Sequence, residues 1–98
     1  MATYAQDQNF ENLNADEVFQ AVERALPEFG YTVWKTRPIG WLIMANRELG
    51  QATINATVAI RPGLGAVLNL SLACENLSVD ELKDHHRDLL SKLSSRLS

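Results

Sequence analysis

Glu81, His85 and Asp88 recur at intervals of four and three residues, the spacing that aligns side chains along one face of a helix. A histidine between two carboxylates at that spacing has the chemistry to move a proton or ligate a metal. A catalytic metal takes about three protein ligands in fixed geometry, and the chain offers no second cluster of His or Cys to complete such a set. The trio therefore reads as a solvated charged face with a weak Glu81–His85 pair. His86 is adjacent in sequence but belongs to a stripe of leucines. There it serves either as a polar anchor in a ligand pocket or, more commonly, as a core-edge histidine satisfied by a backbone carbonyl. Cys74 is the only cysteine, which rules out an internal disulfide and any paired-thiol metal framework. Its strand parity turns it inward as inert packing. The chain contains no nucleophile elbow, phosphate-binding glycine loop, zinc signature or H-E-x-x-H helix. The reading is a non-enzymatic chain with no cofactor and no metal site.

Two helices position these residues. Asn14 and Glu17 form a capping-box pair, flanked by Leu13 and Val18 as a hydrophobic staple. This helix is expected to run to about Leu26, with Pro27 and Gly30 ending it and Phe29 folding back onto its apolar stripe. Ser78 and Glu81 repeat the box, with Leu77 and Leu82 as the staple. From Val79 the stripe continues through His86, Leu89, Leu90, Leu93 and Leu97. Asp80 and Glu81 sit in the first turn, and Lys92 and Arg96 lie near the last, as the helix dipole favours.

Between the helices the period drops to two. Ala52, Ile54, Ala56, Val58 and Ile60 alternate with polar or small residues. After the Pro62–Gly65 turn, Ala66, Leu68, Leu70, Leu72 and Cys74 do the same, so the pair reads as a hairpin. Tyr31 to Thr36 and Trp41 to Asn46 form two further strands, and Thr3 to Phe10 is a shorter, weaker candidate with only Tyr4 and Phe10 for apolar weight. The fold class is α+β, in the order (β)-α-β-β-β-β-α. It comprises an antiparallel four-stranded meander, with or without the short N-terminal strand, and both helices on one face. The closing helix, about 28 Å long, matches the long strand of about 36 Å that it must cover.

The 98 residues make one domain, residues 1 to 98, with 46% hydrophobic and 21% charged residues, a globular composition. The net charge of −3 and the scattered basic residues disfavour nucleic acid and anionic membrane surfaces. No apolar run is long enough to span a bilayer. Cytoplasmic residence is the expectation, with export behind a removed signal left open.

The run from Asn14 through AVERALPEFGYTVW, then GWLIMAN, the alternating hairpin and the closing amphipathic helix resemble small TATA-binding-protein-like, helix-grip domains, whose order is β-α-β4-α. The resemblance covers nearly the whole chain and is architectural. In TATA-binding proteins the open sheet face binds DNA; this chain lacks the basic residues for that role, so the resemblance implies the fold and not the function.

The most informative feature is an absence of charge. From Leu49 to Cys74 the only charged side chain is Arg61. Opposite the core the hairpin presents Thr53, Asn55 and Thr57 beside Val67, Asn69 and Ser71, with Trp34 nearby. One of the sets Trp41/Ile43 and Leu42/Met44 must also face outward. Exposed sheet faces usually carry Lys, Glu and Arg that keep sheets apart. A neutral, short-chained face with an apolar edge is expected to be covered, which makes the chain an interaction module for a homodimer or another protein. The alternative is a carrier holding a small apolar ligand between the last helix and the sheet, near Trp41 and His86.

Overall fold

The computed structural model describes residues 1 to 97. In chain order it contains β1 (Ala2–Phe10), α1 (Ala15–Glu28), β2 (Thr32–Arg37), a 3-10 turn (Pro38–Gly40), β3 (Leu42–Leu49), β4 (Ala52–Gly63), β5 (Gly65–Cys74) and α2 (Val79–Leu97). The strands form one antiparallel sheet in the order β1-β5-β4-β3-β2, so the order β-α-β-β-β-β-α is realised with five strands. The N-terminal strand is fully formed. Its nine residues pair with β5 without a register shift, because every second residue lies opposite one of the inward residues of β5, from Ala2 at Cys74 to Phe10 at Ala66.

Both helices begin as their sequences dictate. The Asn14 side chain accepts from the Glu17 backbone N–H at 2.8 Å, and the Glu17 carboxylate accepts from the Asn14 N–H. Ser78 and Glu81 make the same reciprocal pair. Each box satisfies amides that a helix start leaves without partners. The end of α1 differs from expectation: the helix continues through Pro27 to Glu28. Proline withholds one donor, but the last turn tightens so that Phe29 N–H reaches the Leu26 carbonyl at 3.1 Å, and Gly30 then leaves the helix at φ +90°.

The core lies between the two helices and one side of the sheet. Val18, Val22 and Leu26 of α1 and Leu82, Leu89 and Leu93 of α2 share it with the alternate residues of β4 and β5, all buried. α1 lies over β2, β3, β4 and β5, whereas α2 lies over β5 and β1. At the far end the helices are tied together by the Arg96–Glu28 ion pair, with Lys92 and Arg96 over the Phe29 ring. The strand expected from Tyr31 starts one residue later, and Tyr31 itself is buried against Arg47, whose guanidinium lies 5.9 Å from its ring centroid. Burial raises the phenol above its ordinary range, and Arg47 opposes this. No helix among the described residues is long and apolar enough to cross a membrane.

Gly65, the first residue of β5, lies against the point where the chain leaves β1 for α1. It has φ +99°, and a Cβ there would collide with the Phe10 carbonyl and the Glu11 backbone as the chain leaves β1. Gly63, two residues earlier, would meet only Val67 at ordinary contact distance. Gly65→Ala is therefore expected to cost at least about 1–3 kcal/mol from backbone strain, plus the displacement of Glu11. Gly63→Ala should leave the urea midpoint nearly unchanged; equal midpoints for the two variants would contradict this account of the turn.

Candidate functional site

Because side chains alternate along a strand, covering one side of the sheet with helices consigns every second residue to the other side. The pairing register arranges these outward residues in rows. Thr3, Ala73, Asn55, Asn46 and Thr32 follow one another across all five strands with no charge between them. The next row runs Ala5, Ser71, Thr57, Met44 and Lys35, and the one after it Asp7, Asn69, Ala59, Leu42 and Arg37. Thr53 and Val67 lie on the same face beyond these rows, opposite Glu48 and Arg61 respectively. Of the residues expected on this face from the sequence, Asn55, Thr57, Asn69 and Ser71 occupy these rows and Thr53 and Val67 lie at its two ends.

Trp34 stands at its margin. The β2–β3 register shifts between Val33 and Lys35, leaving Trp34 without a cross-strand partner. It is 55% exposed, while Val33 packs on the core. The extra residue at this bulge reverses the parity of the strand beyond it, so that Lys35 and Arg37 join the outward rows and Thr36 lies opposite the buried Ile43. The ambiguity in β3 is resolved as well: Ile43 and Ala45 are buried on the helix side, so Leu42 and Met44 face outward, half-buried among their neighbours.

The sequence reading did not include the contribution of β1. Thr3, Ala5 and Asp7 extend the face by one strand, and Asp7 organises its only bonded polar cluster among the described residues. Its carboxylate accepts from Asn69 Nδ2 at 2.8 Å and from Arg61 at 3.4 Å. Arg61 thus leans from β4 across β5, and the one charge of the hairpin is partnered. The signal available in the sequence was parity: Asp7 and Asn9 alternate with Gln6, Gln8 and Phe10.

The two residues considered for a ligand pocket are placed apart. Trp41 follows the 3-10 turn in a left-handed conformation, φ 47°, and its indole N–H donates to Asp16 Oδ1 in the first turn of α1 at 2.7 Å. His86 lies two strands away over β5, 2% exposed. Its Nε2 is 2.7 Å from the Leu70 carbonyl. A carbonyl only accepts, so Nε2 carries the proton and donates. Tyr4 meets the imidazole edge-on, 4.8 Å between centroids. Beside this pair a groove of about 400 Å³ opens to solvent, walled by Gln6 and Gln8 of β1 and by Lys83, Arg87 and Ser91 of α2; Trp41 takes no part in it.

The two carboxylates of the helical trio are otherwise engaged: Glu81 caps α2 through Ser78, and Asp88 pairs with Lys92 at 3.0 Å. Among the described residues no group of three or more His, Cys, Asp or Glu side chains is arranged to hold a metal ion. Cys74 is buried as a free thiol.

No family model matches the chain, and no curated protein matches its sequence. Among solved structures it is similar to the crystal structure of a DUF4468 family protein from Bacteroides ovatus, with 7% sequence identity and a TM-score of 0.49. The likeness covers 71% of this chain and 51% of that one, so the chain spans about half the length of that protein.

Burial holds the His86 imidazole below its ordinary value of 6.5, and the bond to the Leu70 carbonyl only partly opposes this. The sign follows: the unfolded chain takes up the proton first, so the contribution of neutral His86 is complete above about pH 6.5 and is lost as pH falls from there through the folded-state value. The stability difference between the native chain and His86→Leu, measured by urea denaturation, should therefore shift in favour of the variant between about pH 7 and pH 5. A difference that does not change with pH would refute the assignment.

Proposed function

We propose that this chain is a non-enzymatic interaction module that works by closing its open sheet face against another protein surface, in the first instance that of a second copy. The observation that carries the reading is the uncharged band made by the row from Thr3 to Thr32 and its neighbour from Ala5 to Met44. Solvated surfaces resist association by interspersing charged side chains of both signs and leaving no contiguous uncharged or apolar patch. Here the centre carries Ala, Ser, Thr and Asn, the half-buried Leu42 and Met44 lie toward one side, and charges are confined to the margins.

Size supports the same reading. The molecule measures 38 × 23 × 21 Å, so a sheet face bounded by its length and either shorter dimension is about 800–900 Å². A standard specific interface buries about 800 Å² per partner. Small outward side chains also suit face-to-face packing, in which two sheets lie about 10 Å apart and each must accept the other's protrusions.

Asn55 is exposed at the centre of the fully neutral row, so a charge there leaves the fold alone and burdens only the assembly. In native mass spectrometry and sedimentation at micromolar concentration the chain should have twice its monomer mass. Asn55→Lys should weaken that assembly at least about a hundredfold by burying an unpaired ammonium, with circular dichroism unchanged. A native chain that stays monomeric, or an Asn55→Lys variant that assembles as before, would sink the proposal.

A further inference from the structure

The open face is asymmetric in two ways that complement each other. Its charge differs from edge to edge. On the β1 edge the one outward charge is the Asp7 carboxylate, whereas the β2 edge carries Lys35 and Arg37. Its relief differs as well. On the β1 and β5 side the outward residues are small, namely Thr3, Ala5, Ser71 and Ala73; on the β3 and β2 side they are large, namely Leu42, Met44 and Trp34. β4, the middle strand, divides the two halves.

Resting on the reading that the face covers itself, we infer that two copies close face to face about a two-fold axis running along β4, parallel to the strands. Such an axis keeps each row at its own height and exchanges the edges: β1 lies over β2 of the second copy, β5 over β3, and β4 over itself. In the row from Asp7 to Arg37, Asp7 of each copy then opposes Arg37 of the other, twice per dimer. In the next row Met44 opposes Ser71, and Trp34 with Lys35 lies over the short side chain of Ala5. Large thus meets small in the row of Met44, and acid meets base in the row of Asp7. A two-fold perpendicular to the strands in the same interface would instead place each edge over itself, Arg37 and Lys35 among their own copies, with bulk against bulk. Charges placed this way contribute mainly to partner choice and register, because like-charge alternatives are penalised. Arg61 leans away from the axis to Asp7, so in the dimer the Asp7 carboxylate lies between Arg61 of its own chain and Arg37 of the second copy.

The test is charge exchange between two chains. In Asp7→Lys homodimers a cation opposes Arg37 at both ends; in Arg37→Asp homodimers an anion opposes Asp7 at both ends. Each variant alone should dimerise at least about tenfold more weakly than the native chain. An equimolar mixture should recover native affinity as a heterodimer, because mixing pairs the introduced lysine with the introduced aspartate and leaves a native Asp7–Arg37 pair at the other end. Heteromass in native mass spectrometry reads this directly. Ala5→Lys, which sets a cation against Lys35, should also weaken the homodimer and be rescued by mixing with Lys35→Glu. That partner alone meets only Ala5 and is exempt from the expected loss. This pair serves should the loss of the Asp7 contacts to Asn69 and Arg61 disturb folding. Variants that dimerise like the native chain, or folded variants that stay monomeric when mixed, overturn this arrangement. The native chain and Asn55→Lys then report separately on whether the face is an interface at all.

Discussion

The strict alternation of β4 and β5 governs the molecule. Ala52 through Ile60 and Ala66 through Cys74 place every second side chain in the core, and a two-residue period cannot be bent to any other use without moving all of them at once. Once these two strands are paired, both helices must lie on the side of the leucines. β1 and β3 add at the flanks with the parity the ladder imposes, and the opposite side is left to the short neutral residues. The properties of the open face are thus the complement of the core, chosen by the same register.

That dependence explains how much could be read from the chain alone. The helix starts were legible because a capping box is a local device, completed within four residues. The hairpin was legible because its alternation is nearly uninterrupted. β1 was underestimated because the middle of its helix side, Gln6 and Gln8, borders an open groove that α2 does not fill, so the apolar signal is confined to Tyr4 and Phe10 near the two ends. β3 could not be oriented because Leu42 and Met44 are as apolar as Ile43. Even its charges mislead, since Arg47 lies on the core side, beside Tyr31 and Gly30, where its aliphatic stem packs and its guanidinium meets a ring. Simple alternation already turned Trp34 outward; what the bulge hid is that Lys35 and Arg37 face the same way, since a bulge leaves no mark in residue types. The pairing of Asp7 with Arg61 spans 54 residues of sequence and becomes visible only when β1 lies beside β5.

His86 shows how a polar group can be admitted to such a core. Its Nε2 proton reaches the carbonyl of Leu70, and the aromatic edge of Tyr4 closes the other side, so a residue that looked like chemistry serves as a fastening between α2 and the strand beneath it. A leucine at that position would pack but would leave helix and strand free to slide past one another. A hydrogen bond of defined direction sets their relative height, and with it the position of every contact that α2 makes further along.

The two tryptophans divide the surface of the molecule between them. Trp41 is held on the helix side by its bond to Asp16, whereas Trp34 stands in solvent at the rim of the sheet face. Their emission should therefore separate into two colours, a blue component insensitive to what happens on the sheet and a red one that reports on it. With one tryptophan replaced by phenylalanine at a time, ordinary fluorescence can distinguish events on the sheet face from loosening of the helical layer, with no attached label.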